Sequence, residues 1–257
     1  MVLTVDVGNT NIVLGGFEDD KLLFVTRLCT DKYKMPDEYA ISFKGVIEFH
    51  GYSVDKFDGA IISSVVPPLL PTLKKAISSL LGCKVFTVSP GTKTGLNIRI
   101  DNPGILGADL VCSAVAAMNR YKMPCIIVDL GTATKFSVLD KDKFFLGVSI
   151  MPGVNISLDA LSKNTAQLPH IEFENAHTVI GTNSIDSMRS GIVFGTASMI
   201  DGMIERLNAE IGQEATVVVT GGIAENIVPH CKSKINTNPN LVLYGLLDIY
   251  YKNTKTK

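Results

Sequence analysis

A short acidic hairpin that occurs twice constrains this chain more than any other feature. Val5-Asp6-Val7-Gly8 closes one apolar run and leads into Asn9-Thr10-Asn11. Val128-Asp129-Leu130-Gly131 closes another and leads into Thr132-Ala133-Thr134. Each copy continues through an apolar segment, then a turn of acidic residues and lysine (Glu18-Asp19-Asp20-Lys21 and Asp140-Lys141-Asp142-Lys143), then a further apolar segment. Short β-rich runs separated by such turns predict three antiparallel strands per copy. A repeat that spans most of a domain implies duplication of a whole αβ unit rather than a solenoid.

The intervening sequence supplies the rest of an α/β fold. Pro36–His50 has helical spacing, with apolar residues at Tyr39, Ile41, Phe43, Val46 and Ile47. Gly59–Val65, Cys125–Val128 and Thr216–Val219 are continuous apolar runs, as in strands buried on both faces. Helices are expected after Pro67-Pro68 to about Leu81, over Ile105–Tyr121, over Ser187–Ala209, at Glu225–Cys231, and after the apolar run Leu241–Leu246. Lys84–Val88 and Ile98–Ile100 read as short strands. Gly191, Gly195 and Gly202 lower the propensity of the long helix, so close packing of another backbone is expected there. The polar stretch Tyr251–Lys257 is expected to fray. A boundary near Arg120 divides the chain into domains 1–120 and 121–257, each a mixed sheet flanked by helices.

Composition narrows the partners. The chain has 24 basic and 25 acidic residues, for a net charge of −1, and 46% hydrophobic residues over 257 positions. That is enough to bury a sizeable core, and it gives no electrostatic reason to expect nucleic acid or an anionic membrane. The first residues, Met-Val-Leu-Thr-Val-Asp, have no basic segment followed by an apolar one, so no signal peptide is expected. The five cysteines (Cys29, Cys83, Cys112, Cys125, Cys231) have no CxxC or regular spacing, as in reduced, mostly buried thiols of a cytoplasmic protein.

Several residues have the chemistry for phosphate work. In Asp6-Val7-Gly8-Asn9-Thr10 the glycine allows close approach of backbone to ligand, while successive amides and the Thr10 hydroxyl can donate to phosphate oxygens. Asp6 would repel a phosphate directly and so would act through Mg²⁺ and its waters. One copy alone reads more readily as a plain hairpin turn; two copies at equivalent positions reverse that and favour the ligand reading. Thr220-Gly221-Gly222, at the end of a buried strand, suits contact with a nucleotide. Asp109 opens an apolar helix and is the best candidate for a general base, or else it complements the helix dipole. Burial there would raise its pKa and the helix N-terminus would lower it. His170, Glu172, Glu174 and His177 lack metal-ligand spacing. Gly91-Thr92-Lys93-Thr94-Gly95 lacks P-loop spacing.

Taken together, these segments resemble the type III pantothenate kinases, which have the actin-like, ribonuclease H-like fold of the acetate and sugar kinase group. The matches run nearly end to end. They include Asp6-Val7-Gly8-Asn9-Thr10, Ser63-Ser64-Val65-Val66-Pro67, Lys93-Thr94-Gly95-Leu96, Asp101-Asn102-Pro103 and Gly107-Ala108-Asp109. They continue with Asp129-Leu130-Gly131-Thr132-Ala133-Thr134, Pro152-Gly153, Thr165-Ala166-Gln167-Leu168-Pro169, Ser190-Gly191, Thr220-Gly221-Gly222 and Gly245-Leu246.

The resemblance implies transfer of the ATP γ-phosphate to pantothenate, the first step of coenzyme A synthesis, by a homodimer with substrate sites at the subunit interface. It implies that Asp6 manages Mg²⁺, that Gly8, Asn9, Thr10, Thr132, Gly221 and Gly222 bind ATP, and that Thr134 lines the phosphate path. Asp109 would be the base. Ile100, Gly107, Ala108, Leu110 and Ser184 would occupy the pantothenate positions. Asp129 would bind the monovalent cation, K⁺ or NH₄⁺.

Five positions depart from the family pattern. Leu110 stands where Arg is usual, Ile100 where Tyr is usual, Lys135 where a third Thr is usual, Leu146 before Gly147 where a Gly-Gly pair is usual, and Ser184 where Thr is usual. Leu110 removes a cation able to pair with an acidic substrate. That leaves two other readings open: a nucleotide-binding regulator without kinase activity, and a kinase of another hydroxyl-bearing acceptor. Lys135 could supply an ammonium group in place of the monovalent cation, or strand alternation could turn it outward.

Overall fold

The computed structural model describes residues 1–254. Its elements begin with β1 (Val2–Val7), β2 (Asn11–Glu18), β3 (Lys21–Cys29), α1 (Pro36–Phe49), β4 (Gly59–Ser64), α2 (Leu70–Leu81), β5 (Val85–Thr87) and β6 (Asn97–Ile98). There follow α3 (Ala108–Arg120), β7 (Cys125–Leu130), β8 (Ala133–Leu139), β9 (Phe144–Pro152), α4 (Val154–Asn164) and α5 (Ser184–Ile211). The chain closes with β10 (Thr216–Thr220), α6 (Ala224–Ile227), β11 (Ile235–Thr237) and α7 (Leu241–Thr254). Among the described residues no helix is long and apolar enough to cross a membrane.

The chain forms two compact units. One comprises residues 1–95, 102–116 and the segment from Leu241 onward; the other comprises 96–101 and 117–240. A single cut near Arg120 therefore does not describe the compact units, because α7 returns to the first.

The duplication is visible in strand order. The first unit has a sheet ordered β3-β2-β1-β4-β5, and the second has β11-β10-β7-β8-β9-β6. Removing β6 leaves β9-β8-β7-β10-β11, the same order as the first sheet. In each, the central strand pairs antiparallel with the next strand in sequence (β1 with β2, β7 with β8) and parallel with a later one (β1 with β4, β7 with β10).

In the first unit Leu3, Val5 and Val7 of β1 join a core with Tyr39, Phe43 and Ile47 of α1 and Leu73, Ala76 and Ile77 of α2. Alternation sends Thr4 and Asp6 to the opposite face. On that face α7 lies against β1, β2 and β4. In the second unit Ile126, Val128 and Leu130 of β7 pack with Val193, Ala197, Ile200 and Ile204 of α5, so Asp129 belongs to the other face.

Three expectations from the sequence are corrected. The run Leu241–Leu246 does not precede the last helix but forms its first turns. That helix continues through Thr254, so Tyr251–Thr254 is ordered helix, and residues 255–257 lie outside the described residues. A Cβ added at Gly191 or Gly195 would meet nothing within 4 Å, and one at Gly202 only the Arg206 side chain. The close helix approach occurs instead at Gly245, where a Cβ would overlap the Cys112 carbonyl of α3. Helix α4 and strand β11 are additions that the hydrophobic pattern does not announce.

Candidate functional site

In the first unit Asp6 sits near the C-terminal end of β1, directly beside Ser63 of β4 in parallel register. Ser63 is fully buried and its Oγ donates to Asp6 Oδ1 at 2.5 Å. This charge-assisted bond fixes the carboxylate's rotamer. Helix α3 begins just after Gly107, with Asp109 in its first turn. A Cβ at Gly107 would lie 2.5 Å from Asp109 Oδ1, so the absent side chain gives this carboxylate its room.

Cys112, one turn further along α3, is buried. Burial first, then the charges of Asp6 and Asp109, push its thiol well above the usual thiol range, while a hydrogen bond with Ser63 acts the other way. One buried thiol thus senses both carboxylates. The sequence reading missed Ser63 and Cys112 as parts of this cluster. The parallel pairing of a Ser-ended strand with an Asp-ended one was the available signal.

The loop after β1 is tied down from within. Gly8 N–H donates to Asn11 O at 2.9 Å, Thr30 Oγ1 donates to Gly8 O at 2.7 Å, and Thr30 N–H donates to Thr10 O at 2.9 Å. The Gly8 amide is therefore used inside the turn, whereas Asn9 and Thr10 are exposed at its tip. Next to Asp109, Leu110 is only 8% exposed and Ala108 is half-buried.

The second unit presents the equivalent hairpin with different chemistry. Asp129 lies opposite Lys135 in antiparallel register and beside Thr220 in parallel register. Directly opposed residues share a face of the sheet, and Lys135 Nζ reaches Asp129 Oδ2 at 2.8 Å. The outward orientation that strand alternation allowed for Lys135 does not occur. Thr132 is exposed at the loop, but Thr134 is 1% exposed and packed inside.

Gly221 has φ +104°, a left-handed value that disfavours any side chain, and a Cβ there would run into the Leu130 backbone. Gly221 thus holds the turn after β10 against the end of β7, with Gly222 exposed beside it. Ile100 is half-buried beyond β6. Ser184 starts α5 next to its cap Asn183, whose side chain accepts from Asp186 N–H at 2.9 Å. Ser184 lines a cavity of about 610 Å³ together with Leu161, Leu168, Thr182, Met188 and Ile192.

Among the described residues no group of three or more His, Cys, Asp or Glu side chains could hold a metal ion. His170 instead approaches Asp159 at 3.7 Å, and Glu174 pairs with Arg189. Asp6 fits a Mg²⁺ that takes most of its ligands from phosphates and water, because such an ion needs only one or two carboxylates. Asp129 does not fit a free monovalent cation, since its carboxylate already bonds an ammonium group. The segment around Lys93 has a structural role: Lys93 and Asn253 of α7 exchange hydrogen bonds of 3.3 and 3.0 Å, and Lys252 Nζ donates to Thr94 O at 3.3 Å.

Two mixed sheets of duplicated order, flanked by helices and each with an Asp near the end of its central strand, define a protein of the actin-like ATPase fold. A hexokinase of the ROK group from Thermus thermophilus superposes with a TM-score of 0.52 at 12% identity, over 98% of both chains, a likeness of fold alone. The family model for type III pantothenate kinase matches residues 2–206. A type III pantothenate kinase of an Exiguobacterium strain is 41% identical over 99% of this chain and 100% of its own length. One from Halalkalibacterium halodurans is 41% identical over 98% of this chain and 100% of its own. The chain belongs to the type III pantothenate kinase family.

Proposed function

We propose that this protein transfers the γ-phosphate of ATP to the primary hydroxyl of pantothenate. The observation that carries this reading is the Asp6–Ser63–Cys112–Asp109 cluster, in a chain that matches pantothenate kinases over their full length. Phosphoryl transfer asks mainly for positioning and charge neutralisation rather than covalent help. Asn9 and Thr10 suit the ATP phosphates, with Gly8 setting the turn; by resemblance to the family, Thr132, Gly221 and Gly222 would be nucleotide-binding positions. Asp6 would hold Mg²⁺ through water, and the ion would neutralise phosphate charge.

Asp109 accepts the acceptor hydroxyl's proton. Its place at a helix start, with Gly107 leaving room beside it, suits a carboxylate that must meet a substrate atom. Gly107, Ala108 and Leu110 would be acceptor positions beside Asp109, and the family resemblance would add Ile100 and Ser184. A homodimer is consistent with the exposed apolar side chains Ile156, Leu161, Val179, Ile180 and Ile185. The free cysteines suit a reducing compartment such as the cytoplasm.

One observation favours a second reading. Leu110 is buried and uncharged beside Asp109, so position 110 offers no cation to an acceptor's carboxylate. An acceptor without that carboxylate would suit this surface better. ADP release measured with pantothenate and with its neutral amide separates the two. Turnover of pantothenate that disappears in Asp109→Asn supports the proposal. Turnover of the amide alone transfers it to the second reading. Nucleotide binding without turnover of either would leave a regulator.

A further inference from the structure

The second hairpin differs from the first in a way that bears on catalysis. Opposite Asp6 in the first copy stands Val13, an apolar residue. Opposite Asp129 in the second stands Lys135, and the two groups are in contact at 2.8 Å. Their side chains are only 16% and 21% exposed. Bulk water therefore screens the pair weakly, and separating it would leave a poorly solvated charge on each side. A free cation bound to the same carboxylate would have to sit beside the ammonium group, against like-charge repulsion in a partly dry site.

We infer that Lys135 is a built-in monovalent cation: its tethered ammonium occupies the charge position at Asp129, and the enzyme works without K⁺ or NH₄⁺. The compact, strongly charged head of lysine, with three donors on a flexible stem, has the properties this needs. The antiparallel register brings that head back over Asp129, and the adjacent loop carries the exposed Thr132. Lys135 is a positioning residue, since it acts through Asp129 and the loop rather than on the reacting atoms. The inference rests on the kinase reading above, and its test is arranged so that the two can fail separately.

The purified full chain is assayed for ADP release at constant ionic strength, with choline chloride, KCl or NH₄Cl as the only added salt. Wild-type turnover is expected to agree within about twofold among the three. Lys135→Ala is expected to lose at least tenfold in kcat in choline, with little change in the KM for ATP, and to regain turnover with KCl, NH₄Cl or methylammonium chloride. A purely structural role for Lys135 would not produce that cation-specific rescue. Thermal melting gives a readout independent of turnover. The melting temperature of Lys135→Ala, or of Lys135→Met if the alanine variant does not fold, is expected to rise in KCl relative to choline, while wild type does not respond. A strict K⁺ requirement in wild type, or equal activity of Lys135→Ala in all salts, would overturn the inference. Absence of turnover in every salt would overturn the kinase reading instead, and the melting comparison would then decide the role of Lys135.

Discussion

Asp6 and Asp129 occupy equivalent places in the repeated hairpin, yet their neighbours differ. Asp6 accepts from the hydroxyl of Ser63, whereas Asp129 pairs with the ammonium group of Lys135. Ser63→Ala is expected to free the Asp6 rotamer. A hydrogen bond to a charged group contributes about 1.5–3 kcal/mol, so the Mg²⁺ concentration for half-maximal activity should rise about tenfold, read from an Mg²⁺ titration. Asp109→Asn should lower kcat by about 10²- to 10⁴-fold, the usual contribution of a positioned base, with ATP affinity retained in a direct binding assay. Thiol reactivity supplies a further check: Cys29 is exposed, whereas Cys112 and Cys125 are buried. Burial raises the Cys125 thiol to about 12. A thiol reagent should therefore label Cys29 first and reach Cys112 and Cys125 only on unfolding.

Among the elements, two local arrangements control stability. Gly245 of α7 packs directly on the Cys112 carbonyl of α3, and a methyl group there must push the helices apart. Overpacking of this kind costs about 1–3 kcal/mol or more, so Gly245→Ala should lower the melting temperature by about 5 °C. In the second unit Asp201 of α5 accepts from the backbone N–H groups of Lys232 and Ser233 at 2.8 and 2.9 Å. Burial alone would raise its pKa, but these hydrogen bonds outweigh it and hold the carboxyl below the usual range.

A depressed folded-state pKa means that this contribution, about 1 kcal/mol, is fully present above the ordinary aspartate pKa. It is lost as pH falls through the folded value. Wild type should thus exceed Asp201→Asn in urea midpoint at pH 7, and the gap should narrow as pH falls below the ordinary aspartate range. The elements also show what a sequence can and cannot disclose. The hairpin strands were legible because alternation and turn residues agree locally. Helix α4 was not, because its polar sequence buries little beyond Val154 and Leu158. Nor was β11, whose three residues gain their strand character from pairing with β10.

For the whole molecule, the duplication was legible in the two hairpins that open Asp6-Val7-Gly8 and Asp129-Leu130-Gly131, and the matching strand orders bear it out. The pairing of Asp129 with Lys135 was half legible: both residues stood in view, but the register that puts them on one face depends on the loop between β7 and β8. The return of α7 to the first unit was not legible at all, since no local pattern tells a helix which distant sheet it will cover. That return has a consequence for biosynthesis. Residues 117–240 leave the ribosome before α7 does, so the second unit has its sequence in hand while the first still lacks a helix that lies against β1, β2 and β4. Over that interval the nascent chain offers an uncovered sheet face to chaperones or to aggregation. A stop codon at Leu241 would make the interval permanent, and the shortened chain should accumulate in the insoluble fraction of expressing cells.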